Sequence, residues 1–177
     1  MTACGSNHDK KLITSNPNYI SNDSIIILPK VGIDNISFYA KENVESFQYK
    51  HVIFIVDSGQ SVSDATDGAY FKNWTKFKND LIGLSFTFST PHNVNPNLVK
   101  EQPKTLTEIN IWNNPSAHFA NGIKIGTSTY QDVVNAFGQL PADWHNNNFI
   151  EYPTKGINFS FDSNRVLQGV NLKKISD

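Results

Sequence analysis

Gly122-Ile123-Lys124-Ile125-Gly126-Thr127-Ser128-Thr129-Tyr130-Gln131-Asp132-Val133-Val134-Asn135-Ala136-Phe137-Gly138 is the stretch on which the reading of this 177-residue chain turns. Tyr130, Val133, Val134 and Phe137 recur at i, i+3, i+4 and i+7, which puts four apolar side chains on one face of an α-helix. Ser128, with Gln131 three residues on, has the pattern of a capping box at the helix start. Gly138 stands where a left-handed helix end takes a residue without a β-carbon, and Pro141 follows soon after.

Working outward, the period changes after the polar run His145 to Asn148. Ile157, Phe159 and Phe161 alternate with Asn158 and Ser160, the signature of a half-buried strand. Asp162-Ser163-Asn164 reads as a tight turn. Val166 to Leu172 then returns as a second strand, with Val170 and Leu172 facing the core. The unit is a helix followed by a hairpin, the helix covering one face of an antiparallel sheet.

The same order is visible earlier in the chain. Gly32-Ile33-Asp34-Asn35-Ile36-Ser37 lies 90 residues before Gly122 to Thr127, and Ala40, Val44 and Phe47 then fall on Tyr130, Val134 and Phe137. Gly83-Leu84-Ser85-Phe86-Thr87-Phe88 matches Gly156 to Phe161 at an offset of 73, and Ile109-Asn110-Ile111 matches Val170-Asn171-Leu172 at an offset of 61. The falling offset makes the first copy longer by 17 residues after its helix and by 12 in its hairpin loop. Asn113-Asn114-Pro115-Ser116 is the joint between copies. The expectation is an α+β protein of two tandem helix-on-antiparallel-sheet repeats forming one curved sheet. Residues 1–22 are a signal remnant and flexible tether, 23–112 the first repeat with two insertions, and 117–177 the second, compact repeat.

Composition fits a folded, strand-rich chain. Charged residues make up 18% and aromatic residues 12%, with 12 Phe, which excludes the highly charged, aromatic-poor class of disordered proteins. A net charge of −1 leaves no basic footprint for nucleic acid. No apolar run is long enough to span a bilayer as a helix. The single cysteine, Cys4, excludes an intrachain disulfide and a cysteine-cluster metal site.

Two resemblances add to this. Thr2-Ala3-Cys4-Gly5-Ser6 resembles the end of a bacterial lipoprotein signal peptide, in which a small residue precedes a cysteine that becomes lipidated. The polar run Gly5 to Asn22 would be the tether behind it. Attachment at Cys4 implies a protein of the bacterial cell envelope, hung from a membrane by acyl chains, and Gly5 after the cysteine implies the outer membrane, facing the periplasm. The pattern Gly122-x-x-x-Gly126-x-Ser128-x-x-x-Asp132-Val133-x-x-x-Phe137-Gly138, followed by Tyr152 and a two-stranded return, resembles the repeat of the β-lactamase-inhibitor-protein-like fold. It is similar as well to the small lipoprotein of the outer-membrane assembly machinery. The resemblance implies a cell-envelope protein that binds other proteins, and it transfers no contact residue.

Chemistry-bearing patterns are few. Val56-Asp57-Ser58-Gly59 after the apolar run Val52 to Ile55 has the arrangement of a retroviral-type aspartic protease, an Asp at a strand end followed by a turn. A dyad would then need a second copy of the chain. The plainer reading is a strand ending in a turn. His8, His51, His92, His118 and His145 show no metal-ligand spacing, so no metal or cofactor is expected. Neither a Gly-x-Ser-x-Gly elbow nor a phosphate-cradling glycine loop occurs.

Binding is the better-supported expectation. If Phe86, Ile109, Phe159 and Val170 face the helices, strand parity puts Ser85, Thr87, Asn110, Trp112, Asn158, Ser160 and Asn171 on the opposite face. Small polar side chains around one Trp can admit a protruding loop of another protein, and Trp anchors dominate interface energies. The insertions add Tyr70, Phe71 and Trp74, together with the loop Pro91 to Pro103. The chain is therefore expected to be no enzyme. It would be an envelope lipoprotein acting by protein–protein contact, as an inhibitor or immunity protein for a hydrolase or toxin. An assembly or structural factor is the alternative, and a protease through Asp57 a weaker one.

Overall fold

A computed structural model describes residues 24–40, 43–65, 68–93, 95–140, 145–146 and 148–175. Cys4, the tether over 1–22, His8 and Trp144 lie outside the described residues.

The alternating run at the C-terminal end forms the strands it predicts. Ile157–Phe161 (β11) and Leu167–Lys173 (β12) pair antiparallel. Asp162 turns the chain between them: its Oδ1 accepts from the Asn164 and Val166 amides, both at 2.9 Å. Leu84–Ser89 (β6) and Thr105–Trp112 (β7) form a second antiparallel pair. The two hairpins meet edge to edge, β7 against β12, with Asn110 opposite Asn171. Ile55–Ala65 (β4) and Gly68–Asn79 (β5) extend the sheet beyond β6, and Phe149–Tyr152 (β10) and His145–Asn146 (β9) extend it beyond β11. The result is an eight-stranded, wholly antiparallel sheet in the order β4-β5-β6-β7-β12-β11-β10-β9.

A second sheet has four strands. Ile25–Leu28 (β1) pairs antiparallel with Gly32–Ile33 (β2), which pairs with Ile36–Ser37 (β3). On its other edge β1 runs parallel to Ala117–Phe119 (β8), Ile25 opposite Ala117. One core joins this small sheet to the large one: Ile25, Ile27, Ile33 and Ile36 share it with Phe86, Ile109, Phe159 and Leu172. Phe119 of β8 sits 5.7 Å from the Phe159 ring.

The α+β expectation is corrected by this architecture, which is mostly β and is not a pair of helix-on-sheet repeats. Two α-helices are described, Pro96–Glu101 (α1) and Tyr130–Phe137 (α2). Helix α2 is where the spacing puts it, though its capping box is Thr129 with Asp132 rather than Ser128 with Gln131. Gly138 ends it at φ 98 and ψ 160, a positive φ but not a left-handed helical residue. Helix α1 lies inside the expected loop Pro91 to Pro103.

Among the described residues of the stretch containing Ala40, Val44 and Phe47, none is helical. Local polar groups satisfy the backbone there in turns instead. The Tyr39 amide donates to Ser37 Oγ at 3.2 Å and the Glu45 amide to Asn43 Oδ1 at 2.9 Å. Such side-chain bonds compete with helical ones. Phe47, Tyr49 and Phe54 still reach the core, from an irregular segment: Phe47 lies 4.9 Å from Phe86 and Tyr49 5.3 Å from it. Tyr49 Oη donates to Asp34 Oδ2 at 2.5 Å, tying this segment to the small sheet.

The extra residues of the first half are also more regular than a loop, because most of them build the β4–β5 hairpin. Asp57-Ser58-Gly59 runs through the middle of β4, so neither the strand-end dyad nor the turn reading describes it. Gly59 pairs with Trp74, and a Cβ on Gly59 would come within 2.8 Å of the Trp74 ring. This glycine lets the indole lie across the neighbouring strand.

Candidate functional site

The small sheet, α2 and the segment 43–54 pack on one face of the large sheet, as the ring contacts show. Phe137 lies 5.0 Å from Phe159, Phe119 lies 5.7 Å from it, and Phe47 packs on both Phe86 and Phe88. The other face carries three ladder rows read across the strands. The central row is Lys78, Ser85, Asn110, Asn171, Asn158 and Glu151. On one side of it run Lys76, Thr87, Glu108 and Lys173. On the other run Trp112, Gly169, Ser160 and Phe149. Together they outline an open groove of about 650 Å³.

The third row shapes the groove. Trp112 and Phe149 stand three strands apart, about 14 Å at the usual strand spacing. Between them the floor is low, because Gly169 and Ser160 project little. A Cβ on Gly169 would meet Ser160 Oγ at 2.7 Å. Trp112 is held from beneath: Gly83, at φ 61, brings its backbone so close that a Cβ there would lie 1.7 Å from the Trp112 carbonyl oxygen. The Trp112 amide donates to the Gly83 oxygen at 2.9 Å. Lys78 Nζ sits 5.8 Å from the Trp112 ring centre and 2.8 Å from Asp80 Oδ1, a cation shared between an aromatic face and a carboxylate.

The central row is a hydrogen-bonded amide ladder that is left incomplete. Asn171 Nδ2 donates to Glu108 Oε1 and, at 2.5 Å, to Asn110 Oδ1. With its amide oriented to suit its neighbours, Asn158 donates to Glu151 Oε1 at 3.2 Å and to the Ile157 carbonyl at 3.0 Å. Among the described residues, Ser85 Oγ, Thr87 Oγ1 and Asn171 Oδ1 are buried and have no hydrogen-bond partner. Ser85 is 0% exposed. An unmet buried polar group costs about 1–3 kcal/mol, so three clustered on one face is a cost that a core-packing role would not retain.

The sequence-predicted residues divide cleanly. Ser85, Thr87, Asn110, Trp112, Asn158 and Ser160 share this face, and Trp112 stands at the end of β7 rather than at the centre, which Asn110 and Asn171 occupy. Trp74 is on the same face but pairs with Ser89, next to Thr105. Seven residues along β7 separate Thr105 from Trp112, about 23 Å. Phe71 points to the other face, and its backbone pairs with Asn93. Tyr70 packs 6.2 Å from the His92 ring. Trp74, Tyr70 and Phe71 therefore do not converge with Trp112. Lys76, Lys78, Glu108, Phe149 and Lys173 line the groove and were absent from the sequence reading. Their signal is the alternation of Lys72, Trp74, Lys76 and Lys78 with Thr75 and Phe77.

The site offers binding chemistry. It holds an indole, a phenyl ring, the Asn110, Asn158 and Asn171 amides, the Ser85, Thr87 and Ser160 hydroxyls, and charges of both signs. Among the described residues no group of three or more His, Cys, Asp or Glu is placed to hold a metal ion, and no helix is long and apolar enough to cross a membrane. Comparison with family models, curated proteins and solved structures finds no match. The resemblance to the inhibitor-protein repeat thus rests on the Gly122 to Gly138 pattern, Tyr152 and the two-stranded return.

Proposed function

We propose that this chain is a non-catalytic binding protein whose open sheet face, centred on Asn110 and Asn171 and walled by Trp112 and Phe149, receives a protruding segment of another protein. The observation that carries this reading is the set of unpartnered oxygens on Ser85, Thr87 and Asn171 in that face. These oxygens are enclosed in the free protein, and a partner backbone that turns the half-buried Thr87 and Asn171 side chains outward can supply their missing hydrogen bonds, while Trp112 supplies apolar area at low entropy cost. A bacterial-envelope setting, through a lipid on Cys4, belongs to the same proposal and rests on Ala3-Cys4-Gly5. Inhibition of a hydrolase or toxin and a role in envelope assembly both operate through such a face.

The test is affinity capture from envelope extract with the wild type, Trp112→Ala and Trp74→Ala. Loss of a stoichiometric partner with Trp112→Ala, and its retention with Trp74→Ala, is the expected result. The reverse pattern places the site on the β4–β5 hairpin and defeats the proposal. Intact-mass analysis of the precursor tests the anchor: a lipid-sized mass increment present in the wild type and absent in Cys4→Ser is expected.

A further inference from the structure

A second cavity lies on the opposite side of the large sheet, where the covering segment 43–54 stops short of the β4–β5 hairpin. It has a volume of about 1100 Å³, just above the roughly 300–1,000 Å³ typical of small-molecule sites. One wall is aromatic: Phe47, Phe54 and Phe77, with Phe47 and Phe77 4.9 Å apart and Phe54 edge-on to Phe77 at 6.2 Å. Val44, Val52 and Val56 continue it, partly buried against the same core.

Lys104 also lines the cavity. Its Nζ donates to Thr75 Oγ1 at 2.8 Å, and Thr75 is buried. No carboxylate is paired with Lys104 among the described residues. The other titratable side chains around the cavity are Lys50, His51 and Glu45. Lys50 is already engaged with Asp34 at 3.1 Å, and Glu45 is exposed. Burial pushes the Lys104 ammonium below the ordinary lysine pKa. A partly desolvated cation with one neutral hydrogen bond beside an apolar wall is a site of uncompensated positive charge.

We propose that this cavity binds a medium-chain fatty acid, its carboxylate on Lys104 Nζ and its chain along Phe47, Phe54 and Phe77. The head group supplies the missing anion and converts a neutral hydrogen bond into a charge-assisted one. The chain removes apolar surface from water without disturbing the sheet. Because the cavity and the Trp112 groove lie on opposite faces, this site is independent of the protein-binding one.

Titration calorimetry of the folded protein with decanoate and with methyl decanoate at neutral pH tests it. Decanoate is expected to bind one site saturably, and the uncharged ester at least tenfold more weakly. Lys104→Met should weaken decanoate binding at least tenfold and erase the preference for acid over ester, while Lys104→Arg should keep both. Trp112→Ala should change decanoate affinity less than twofold. Circular dichroism checks that each variant is folded, and Lys104→Arg keeps a donor for the Thr75 hydroxyl and serves as the folded control. Absence of saturable heat, equal affinity for acid and ester, unchanged binding by Lys104→Met, or preference for an acidic peptide over decanoate would each overturn the assignment.

Discussion

The two faces of the large sheet are built from the same strands and differ in almost everything else. On β11, Ile157, Phe159 and Phe161 are buried on the covered face, while Ser160 is exposed and Asn158 half-buried on the open one. On β7, Ile109 and Ile111 point inward and Asn110 and Trp112 outward. The covered face packs against the small sheet, α2 and the segment 43–54, with interlocking rings, and is open only at the cavity beside the β4–β5 hairpin. The open face leaves oxygens of Ser85, Thr87 and Asn171 unmet. The difference teaches that strand parity sends apolar burial to one side of the sheet and unmet polar groups to the other. Burial of apolar area holds the sheet from one side, and the other side is left free to carry polar groups that do not help folding.

Substitutions one residue apart sharpen this contrast. Phe159→Ala deletes a ring packed against Phe119, Phe137 and Tyr152. It should destabilise by about 3–5 kcal/mol in a urea titration, from lost transfer energy and the cavity left behind. Gly83→Ala comes next, at about 1–3 kcal/mol, because it forces a side chain into a positive-φ site. It should also shift the Trp112 fluorescence, since the added carbon meets the Trp112 carbonyl. Thr129→Ala removes the N-cap of α2, the one α-helix packed on the covered face through Phe137, and should cost about 1 kcal/mol.

The same cap makes a pH-dependent prediction. Hydrogen bonds from the Thr129 amide and hydroxyl hold the Asp132 carboxyl below the usual aspartate range. A depressed folded pKa means that the unfolded state binds more protons as the pH drops. The stabilisation is then complete above about pH 4, the ordinary aspartate value, and is lost as the pH falls through the lower folded one. The stability gap between wild type and Asp132→Asn should accordingly be widest near neutral pH and close in acid. Smallest of all, Ser160→Ala should change stability by less than about 0.5 kcal/mol. Equal losses for Phe159→Ala and Ser160→Ala would dissolve the distinction between the faces.

How much of this is readable in the sequence depends on whether the signal is local. Alternation marks β11, β12, β6 and β7, and parity then sorts their residues between the faces. The apolar spacing and a nearby capping pattern mark α2, one residue off at the cap. Identical spacing at Ala40, Val44 and Phe47 fails as a helix, because Ser37 and Asn43 bond back to their own neighbours and Phe47 finds the core from an irregular backbone. The small sheet is hidden for a different reason. Its parallel pairing of Ile25 with Ala117 joins residues 92 positions apart, and neither three-residue stretch announces the other. On the open face, Asn110, Trp112 and Ser160 follow from parity, whereas Lys76 and Lys78 are missed once β5 is read as an insertion. The unmet oxygens depend on which neighbours come within reach in three dimensions, and no spacing encodes that.

Site-specific photo-crosslinking tests the central claim most directly. A benzophenone side chain placed at Ser160, on the open face, and separately at Gln131, on the exposed side of α2, would be activated in envelope extract. One discrete protein adduct is expected from position 160, none from position 131, and loss of the first when Trp112→Ala is combined with it. Adducts from position 131 alone, equal adducts from both, or none from position 160 would contradict it.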